Sequence, residues 1–417
     1  MRHIEALVIG GGPAGLAMSR CLSNYGIEHV ILERGRVAER WRSERWDSLR
    51  LLTPNWLTRL PGLAYDGDDP DGFMAASEVV GFLEKYARLI RPPIETDTTV
   101  TSVAPARDAF TVTTSRGDWS ARAVVIATGE TDVPIVPSMA KRLAPHVDQL
   151  VPSEYLRPSQ IRDGGVLVAG ASSSGIQIAD ELQQAGRAVT IAVGGHTRVP
   201  RTYRGRDILW WFDRAGLLDE PAEHVQDLKQ SRRQPSLQLV GHPDRRSLDL
   251  STLQDLGVRV LGRLRGIDGA HLTFDDDLVA TTVASDAKLA LLLSRLDEFA
   301  RRARLDREVG APEPFVPRWR RFFDAPTAID LAATNIQTVV WAMGYWRRYA
   351  WLRVPVVDET GEIRHQGGVT PYPGLYVLGL RFLRRRNSTF IDGIGKDAAA
   401  LAPHVAAFVR WQARATA

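Results

Sequence analysis

Short apolar runs that end in a glycine-rich turn occur twice in the chain and predict two buried parallel strands. Residues 5–9 (EALVI) lead into 10–15 (GGGPAG), and residues 165–169 (GVLVA) lead into 170–175 (GASSSG). After each turn, apolar residues recur at helical spacing until a further glycine favours the end of the helix. The pattern therefore predicts two strand–turn–helix units of the dinucleotide-binding type.

Two later segments match each other and extend this interpretation. Residues 123–129 (AVVIATG) and 338–344 (TVVWAMG) each have the pattern of a buried strand that ends in a small residue and glycine. The chain is therefore predicted to be an α/β protein with two Rossmann-like domains, the second inserted into a discontinuous first domain. The expected ranges are 1–155 and 335–417 for the first domain and 160–334 for the second, with a small helical insertion at about 283–325.

The first turn carries the residue types that a bound dinucleotide needs. Gly10 permits the tight turn, Gly12 lets the backbone approach a pyrophosphate, and Gly15 lets helix and strand pack closely. The helix N-terminus that follows presents unpaired N–H groups to the phosphates. Glu33 ends the next strand, 18 residues after Gly15, where a carboxylate accepts hydrogen bonds from ribose hydroxyls. We expect a dinucleotide here rather than an empty glycine turn.

The second turn differs in two ways that bear on which dinucleotide binds. Ser172 replaces the middle glycine, and no acid ends the strand at 189–193. Instead, Arg198 and Arg201 follow that strand. Because a carboxylate would repel a 2′-phosphate, whereas arginine binds it, the sequence favours NADPH over NADH. The alternative is that these arginines are plain surface residues.

Composition narrows the class of protein without changing this picture. The 417 residues are 44% hydrophobic and 24% charged, with a net charge of +4, which is typical of a soluble globular protein rather than a nucleic-acid platform. No run of about 18 apolar residues predicts a membrane span, and no secretory signal is apparent. The single cysteine, Cys21, excludes an internal disulfide and a CxxC redox pair. We expect a cytoplasmic protein with no metal, membrane or nucleic-acid partner.

Beyond the glycine turns, nearly the whole chain resembles the flavin-containing monooxygenases, including the YUCCA-type and related bacterial group B enzymes. The matching segments are 39–41 (ERW), 46–49 (WDSL), 53–56 (TPNW), 373–379 (PGLYVLG) and 392–395 (DGIG). The resemblance implies that NADPH reduces FAD and that the reduced flavin reacts with O₂ to form a C4a-hydroperoxide. One oxygen atom then passes to a small organic substrate, and water leaves. In such enzymes the protein mainly orients the cofactors and excludes water.

The same resemblance implies where the cofactors bind. The expected FAD residues are Gly10, Gly12, Pro13, Ala14, Gly15, Glu33, Arg34, Trp41, Thr53, Val100, Thr128, Gly129, Gly379, Asp392, Gly393 and Ile394. The expected NADPH residues are Gly170, Ser172, Ser173, Ser174, Gly175, Arg198, Arg201, Met343 and Gly344. Asp392 has two interpretations, as part of a helix N-terminus presented to the flavin or as a simple helix cap.

The chain departs from the family's pattern at two positions. Val151 stands where the family has a histidine four residues before Tyr155, and Leu52 stands at the position of an asparagine beneath the flavin. Thr53 and Asn55 are the nearby polar candidates for a catalytic role, with turn capping as the alternative. These departures keep two other functions open: a flavin-dependent NAD(P)H oxidase or reductase without a stable hydroperoxide, and a redox-sensing flavoprotein with slow turnover.

Residues 283–308 place apolar side chains on one helical face and charged side chains on the other. Because acids and arginines are mixed on the polar face, the pattern favours a core-facing or dimer-forming helix over a membrane anchor. A homodimer is one expectation that follows from it.

Overall fold

The computed structural model describes residues 1–415, which contain both helices and strands. The helices are α1 (Pro13–Asn24), α2 (Glu39–Ser43), α3 (Ala76–Ile90), α4 (Ser173–Gln184), α5 (Ile208–Arg214), α6 (Leu228–Arg233), α7 (Leu250–Asp255), α8 (Leu278–Arg302) and α9 (Ile391–Ala415). Both predicted strand–turn–helix units are present, as a strand at Arg2–Ile9 followed by α1 and a strand at Gly165–Ala169 followed by α4.

The strands of the first half are β1 (Arg2–Ile9), β2 (His29–Leu32), β3 (Arg59–Leu60), β4 (Leu63–Ala64), β5 (Ile94–Glu95), β6 (Val100–Pro105), β7 (Phe110–Thr114), β8 (Gly117–Ile126), β9 (Val133–Pro134), β10 (Asp148–Leu150), β11 (Gly165–Ala169) and β12 (Val189–Ala192). Those of the second half are β13 (Thr197–Arg198), β14 (Thr202–Tyr203), β15 (Arg206–Asp207), β16 (Leu237–Gln238), β17 (Arg259–Leu261), β18 (Leu264–Asp268), β19 (His271–Phe274), β20 (Ala328–Asp330), β21 (Ile336–Trp341), β22 (Tyr345–Trp346) and β23 (Leu375–Val377).

The first sheet has the order β5-β2-β1-β8-β7-β6, with β23 also paired to β8. Its central strands are parallel, and Val8 of β1 lies between Ile31 of β2 and Val125 of β8. These three side chains are fully buried, because α1 and α9 pack together on one face of the sheet. The carboxyl ends of β1, β2 and β8 therefore meet at one edge, where the first glycine turn lies.

The second sheet is wholly parallel, in the order β10-β21-β11-β12-β17. Val168 of β11 pairs with Ile191 on one side and Val340 on the other. Two of its strands, β10 and β21, lie outside the range 160–334 expected for the second domain. The boundaries at 155 and 335 thus need correction, because both strands pair into this sheet rather than the first. The α/β fold with two dinucleotide-binding units is confirmed.

A two-stranded antiparallel pair connects the two units. In it, β9 pairs with β22, so that Val133 lies opposite Trp346 and Pro134 lies opposite Tyr345. Both crossings of the chain between the units therefore run side by side. The first crossing lies at Val133–Pro134 and the return crossing at Tyr345–Trp346.

The amphipathic helix predicted at 283–308 is α8, which ends at Arg302. Its apolar face, with Leu289, Leu293 and Leu296, packs into a cluster that contains Tyr203 and Trp211. The helix is therefore part of the protein's core rather than a free surface. Among residues 1–415, no helix has the length and apolar character that would allow it to cross a membrane.

Candidate cofactor sites

In the first glycine turn, a side chain at either of two positions would overlap neighbouring backbone atoms, whereas a side chain at a third position would meet open space. A Cβ at Gly15 would overlap the Gly10 carbonyl oxygen, and a Cβ at Gly10, whose φ is +111°, would overlap the Ala127 carbonyl. A Cβ at Gly12 meets nothing within 4 Å. Gly12 precedes the first residue of α1, so the open side of the turn faces the helix N-terminus.

A cavity of about 600 Å³ lies over this turn. Twelve of the expected FAD residues line it: Gly10, Gly12, Pro13, Ala14, Glu33, Arg34, Trp41, Val100, Thr128, Gly129, Gly379 and Ile394. The lining also includes residues that sequence reasoning did not select, namely Arg40, Arg45, Thr98, Thr99, Glu130, Thr131, Arg347, Tyr349, Arg381, Thr389 and Ile391. The cavity thus joins the end of β2, the glycine turn and the start of α9, which together can accept an elongated dinucleotide.

Glu33 is held by the backbone of the loops around it. Its Oε2 atom accepts a hydrogen bond from the Gly11 amide at 2.5 Å, and its Oε1 atom accepts one from the Gly35 amide at 2.9 Å. Only 9% of the residue is exposed. These two bonds fix the carboxylate at the cavity wall, where remaining lone pairs can accept from ribose hydroxyls.

Arg45 is a cation at the cavity wall without a carboxylate partner. Its guanidinium donates to the Glu44 carbonyl at 2.8 Å and to the Thr131 hydroxyl at 3.3 Å, and it lies 5.3 Å from the centre of the Trp41 ring. Within the described chain, no carboxylate comes within 4.0 Å of it. Burial lowers the pKa of this guanidinium. An unpaired, partly buried cation is costly unless an anion binds beside it.

The start of α9 contributes backbone and apolar groups to the cavity rather than the Asp392 carboxylate. Asp392 is 5% exposed and pairs with Arg59 at 2.9 Å and with Lys396 at 3.0 Å. A Cβ at Gly393 would overlap the Asn387 carbonyl oxygen, so this glycine packs against the preceding loop. Asp392 and Gly393 therefore lie outside the cavity lining, in contrast to the expectation, and Ile391 and Ile394 line it instead.

Arg381 connects the cavity to the second unit of the chain. Its backbone amide and Nε both contact the Glu130 carboxylate, with Nε at 2.9 Å. Its two terminal nitrogens donate to the Gln234 carbonyl at 2.8 Å and to the Ser236 hydroxyl at 3.1 Å. The nearby Gln238 donates to the Ala171 carbonyl within the second glycine turn, at 2.8 Å. Arg381 therefore ties the cavity wall at Glu130 to residues 234–236, which directly precede the strand whose Gln238 bonds the second glycine turn.

The second glycine turn repeats the geometry of the first. A Cβ at Gly175 would overlap the Gly170 carbonyl oxygen, and Gly170, with φ of +111°, lies against the Ala342 carbonyl. Ser172 precedes α4 with no hydrogen bond from its side chain to the helix. The other expected residues surround this turn: Ser173 and Ser174 open α4, and the exposed Met343 and Gly344 follow β21. The replacement of glycine by Ser172 leaves the turn intact.

The arginines after β12 do not reach this turn, which corrects the assignment of Arg198 and Arg201. Arg198 lies 2.7 Å from Asp286 and 3.3 Å from Asp249, and it also donates to the Val316 carbonyl at 2.9 Å. Arg201 is fully buried, with its guanidinium 2.5 Å from Asp207. Because acids already neutralise both cations inside the protein, neither is free to bind a 2′-phosphate.

Arg204 completes the same pattern, since it pairs with Asp297 of α8 at 3.1 Å and with Asp306 at 2.9 Å. Asp297 also accepts a hydrogen bond from the Tyr203 hydroxyl at 2.8 Å. The arginines at 198 and 204 therefore fasten α8 to the second unit. Their role is structural.

Asn55 is also structural. Its Nδ2 donates to the Asp69 carbonyl at 2.9 Å, and its Oδ1 accepts from the Met74 amide at 2.8 Å, so both polar atoms are engaged within the protein, and only 5% of the residue is exposed. The expectation of a catalytic Asn55 is therefore not supported. Thr53 is half-buried next to Leu52 and lies outside the lining of the cavity. This differs from the expectation that Thr53 contacts FAD.

Val151, at the family's histidine position, is 8% exposed within an apolar cluster that includes Leu167 and Trp341. Tyr155, four residues later, is fully buried and its hydroxyl donates to Glu181 at 2.7 Å. The departure at Val151 is therefore accommodated by core packing rather than by another polar group.

Cys21 lies buried in α1, and burial raises the pKa of its thiol to about 11. A thiol with so high a pKa is a poor nucleophile at neutral pH. Across residues 1–415, no cluster of three or more His, Cys, Asp or Glu side chains is arranged to hold a metal ion.

Comparison with known proteins agrees with this architecture. The model of the pyridine nucleotide-disulphide oxidoreductase family matches residues 7–205. A CzcO-like oxidoreductase of Geobacillus kaustophilus, described as uncharacterized, is 33% identical over 403 residues, which is 95% of this chain and 97% of the relative. The probable indole-3-pyruvate monooxygenase YUCCA1 of Arabidopsis thaliana is 33% identical over 181 residues, covering 42% of this chain and 44% of that protein.

The fold is also found in a solved structure. A flavin-containing monooxygenase from Stenotrophomonas maltophilia superimposes with a TM-score of 0.68 at 19% identity, over 98% of this chain and 99% of the other. At that level of identity the likeness concerns the fold.

Proposed function

Because the chain belongs to the flavin-containing monooxygenase-like family of oxidoreductases, we propose that it is an NADPH-dependent FAD monooxygenase acting on a small organic molecule. Its class, a flavin-dependent oxidoreductase, follows from the family. The choice of FAD and NADPH, and the transfer of one oxygen atom from O₂, are the proposal.

The observation that carries the proposal is the 600 Å³ cavity over the first glycine turn. Its lining offers a helix N-terminus, an acid at the end of β2 and an unpaired cation, which are the groups that phosphates and ribose require. A Cβ at Gly12 would project into open space, so the backbone is accessible to a pyrophosphate. The residues present therefore fit FAD.

The roles of the lining residues follow from their chemistry. The first N–H groups of α1 and the guanidinium of Arg45 bind the pyrophosphate, and Glu33 accepts hydrogen bonds from the adenosine ribose. Ile391 and Ile394 line the cavity at the start of α9 and would offer an apolar surface to the flavin ring, and the helix N-terminus would favour negative charge there. The flavin supplies the redox and oxygen chemistry when it is bound.

The second glycine turn binds the nicotinamide dinucleotide in the same manner. Backbone N–H groups at the start of α4 face its pyrophosphate, and Arg381 holds the first unit against the segment beside this turn. That link would hold the segment beside the nicotinamide dinucleotide against the unit that would bind FAD. Overall, NADPH, a proton, O₂ and the substrate yield NADP⁺, the oxygenated product and water.

Coupling between NADPH consumption and product formation tests the proposal. The FAD-loaded protein is incubated with NADPH, ¹⁸O₂ and a panel of amines, thioethers, ketones and 2-oxo acids. We expect one ¹⁸O atom in the product for each NADPH oxidised, with little hydrogen peroxide released. Peroxide in a 1:1 ratio to NADPH with every substrate would replace the proposal with an NADPH oxidase, and failure of NADPH to reduce the flavin would contradict both.

A further inference from the structure

The loop after β12 has an unusual composition for a 2′-phosphate site, since it begins with two glycines and its arginines are buried elsewhere. Gly194 is half-buried and Gly195 is exposed, and a Cβ at Gly195 would meet nothing within 4 Å. Within the described chain, the amides of both glycines donate to no other group. The loop is therefore open, and it presents free N–H groups at the position where a dinucleotide's adenosine ribose is recognised.

A cation from the neighbouring strand lies over this loop. Ala192 of β12 pairs with Leu261 of β17, and Arg263 follows β17 by two residues. The Arg263 guanidinium lies within 3.4 Å of where a Gly194 Cβ would stand, with its carbon at 3.2 Å. Any residue other than glycine at 194 would displace this guanidinium. The side chain remains 55% exposed, so its outer nitrogens are accessible to a ligand.

Arg263 is only loosely neutralised. Its partner is Asp277, whose Oδ2 lies 3.6 Å from the Arg263 Nε, whereas the Asp277 Oδ1 is engaged by the Arg263 backbone amide at 3.0 Å. The buried Arg198, by contrast, has its acid at 2.7 Å. An exposed pair at 3.6 Å is weak, so a doubly charged phosphate can compete for the guanidinium.

His196, next in the loop, does not add a second cation. It is 4% exposed, and burial lowers the pKa of its imidazole, which is therefore neutral at pH 7. Its Nδ1 lies 3.2 Å from the Gly194 carbonyl, which fixes the loop's shape.

We propose that Arg263, lying over Gly194 and beside the free amides of this loop, binds the 2′-phosphate of NADPH and so determines the preference for NADPH over NADH. The inference rests on the proposed function for the presence of a nicotinamide dinucleotide at the second turn. It replaces the assignment to Arg198 and Arg201. A short loop of glycines accepts the phosphate, and the charge comes from the adjacent strand.

A binding measurement that needs no turnover tests this assignment. The FAD-loaded protein is titrated by calorimetry with 2′,5′-ADP and with 5′-AMP, which differ only in the 2′-phosphate. We expect wild type to prefer 2′,5′-ADP, and R263A to lose about 10- to 100-fold in affinity for it while 5′-AMP affinity changes less than about twofold. R265A is the matched control, because Arg265 is 75% exposed two residues later.

A second variant acts in the opposite direction. D277N removes the competing carboxylate, so its affinity for 2′,5′-ADP should rise about 2- to 5-fold. Loss of preference in R263A with retention in R265A supports the proposal. An R263A protein that keeps the wild-type preference overturns it, as does a wild type that binds both probes equally. The proposed function fails separately, when neither NADPH nor NADH reduces the flavin.

Discussion

The Nη1 of Arg201 donates a hydrogen bond to the Leu52 carbonyl at 2.8 Å, and this bond joins the second unit to the segment where the family's flavin-side asparagine is replaced. Arg201 is fully buried, and its guanidinium lies 4.9 Å from the centre of the Phe73 ring. A Cβ at Gly241 would overlap the Leu51 carbonyl, so the second unit approaches this segment at a second point. The segment is therefore held from the second unit at two points, in addition to the two hydrogen bonds that the Asn55 side chain makes to Asp69 and Met74.

Substitution of Arg201 should affect stability and leave nucleotide binding unchanged. R201M leaves the Asp207 carboxylate without its partner in the core, so the free energy of unfolding should fall by about 3 kcal/mol in a urea titration. R206M, at an exposed arginine nearby, should change it by less than about 0.5 kcal/mol. A stable R201M protein with weakened binding of 2′,5′-ADP would instead restore Arg201 as a phosphate ligand.

Alanine substitutions at two glycines of the first turn should separate folding from FAD binding. Gly12 has an ordinary extended backbone with φ of −85°, and a Cβ there would point into open space. The free energy of unfolding of G12A should therefore lie within about 0.5 kcal/mol of the wild-type value. The added methyl group stands where the pyrophosphate approaches, so the purified G12A protein should lose most of its FAD.

G15A should behave differently, because its Cβ would overlap the Gly10 carbonyl and strain the packing of α1 on the sheet. We expect the free energy of unfolding of the apoprotein to fall by about 1–3 kcal/mol. Flavin absorbance after purification and unfolding of the apoprotein measure the two effects. Equal FAD retention in wild type and G12A would argue against a pyrophosphate at this turn.

Removal of the Glu33 carboxylate should weaken the binding of FAD. E33A deletes a charged acceptor at the cavity wall, and a hydrogen bond to a charged group contributes about 1.5–3 kcal/mol, so FAD affinity should fall about 10- to 100-fold. Titration of the apoprotein with FAD, followed by flavin fluorescence, measures the change. E28A, at an exposed residue just before β2, is the control. A similar loss in both variants would mean that the effect is general and not due to ribose binding.

The features that were predictable from sequence are local ones. The glycine turn at 10–15 and the acid at 33 lie within one strand–turn–helix–strand unit, whose residues specify its geometry directly. Domain boundaries depend on distant pairing, and three-residue β10 gives no signal that it joins β21, almost 190 residues later. A resemblance carried by short motifs indicates the fold class, but it does not indicate which distant strands pair.

The misassigned arginines have a related cause. In the sequence, Arg198 follows a nucleotide-binding strand, and nothing nearby indicates that Asp286, 88 residues away, neutralises it. Arg45 and Arg263 were missed for the converse reason, because a cation's lack of a close partner is visible only in three dimensions. For charged residues, the type and position in the chain indicate what they can bind, while burial and ion pairing decide whether they are available.

His365, a largely buried histidine beside Arg232, should make the free energy of unfolding depend on pH. The Arg232 guanidinium donates to the His365 Nε2 at 3.3 Å, and burial together with Arg232 and Arg347 lowers the pKa of this imidazole to about 4. Since the unfolded chain has an ordinary histidine pKa, it binds more protons than the folded protein as the pH falls from about 6.5 to 4. The free energy of unfolding should therefore be highest above pH 6.5 and fall by about 3 kcal/mol more in wild type than in H365Q on acidification to pH 4. Urea titrations across this range measure the difference, with H271Q at an exposed histidine as the control. If the free energy of unfolding had the same pH dependence in wild type and H365Q, the lowered pKa of His365 would be contradicted, because the predicted difference between the two proteins comes from that histidine.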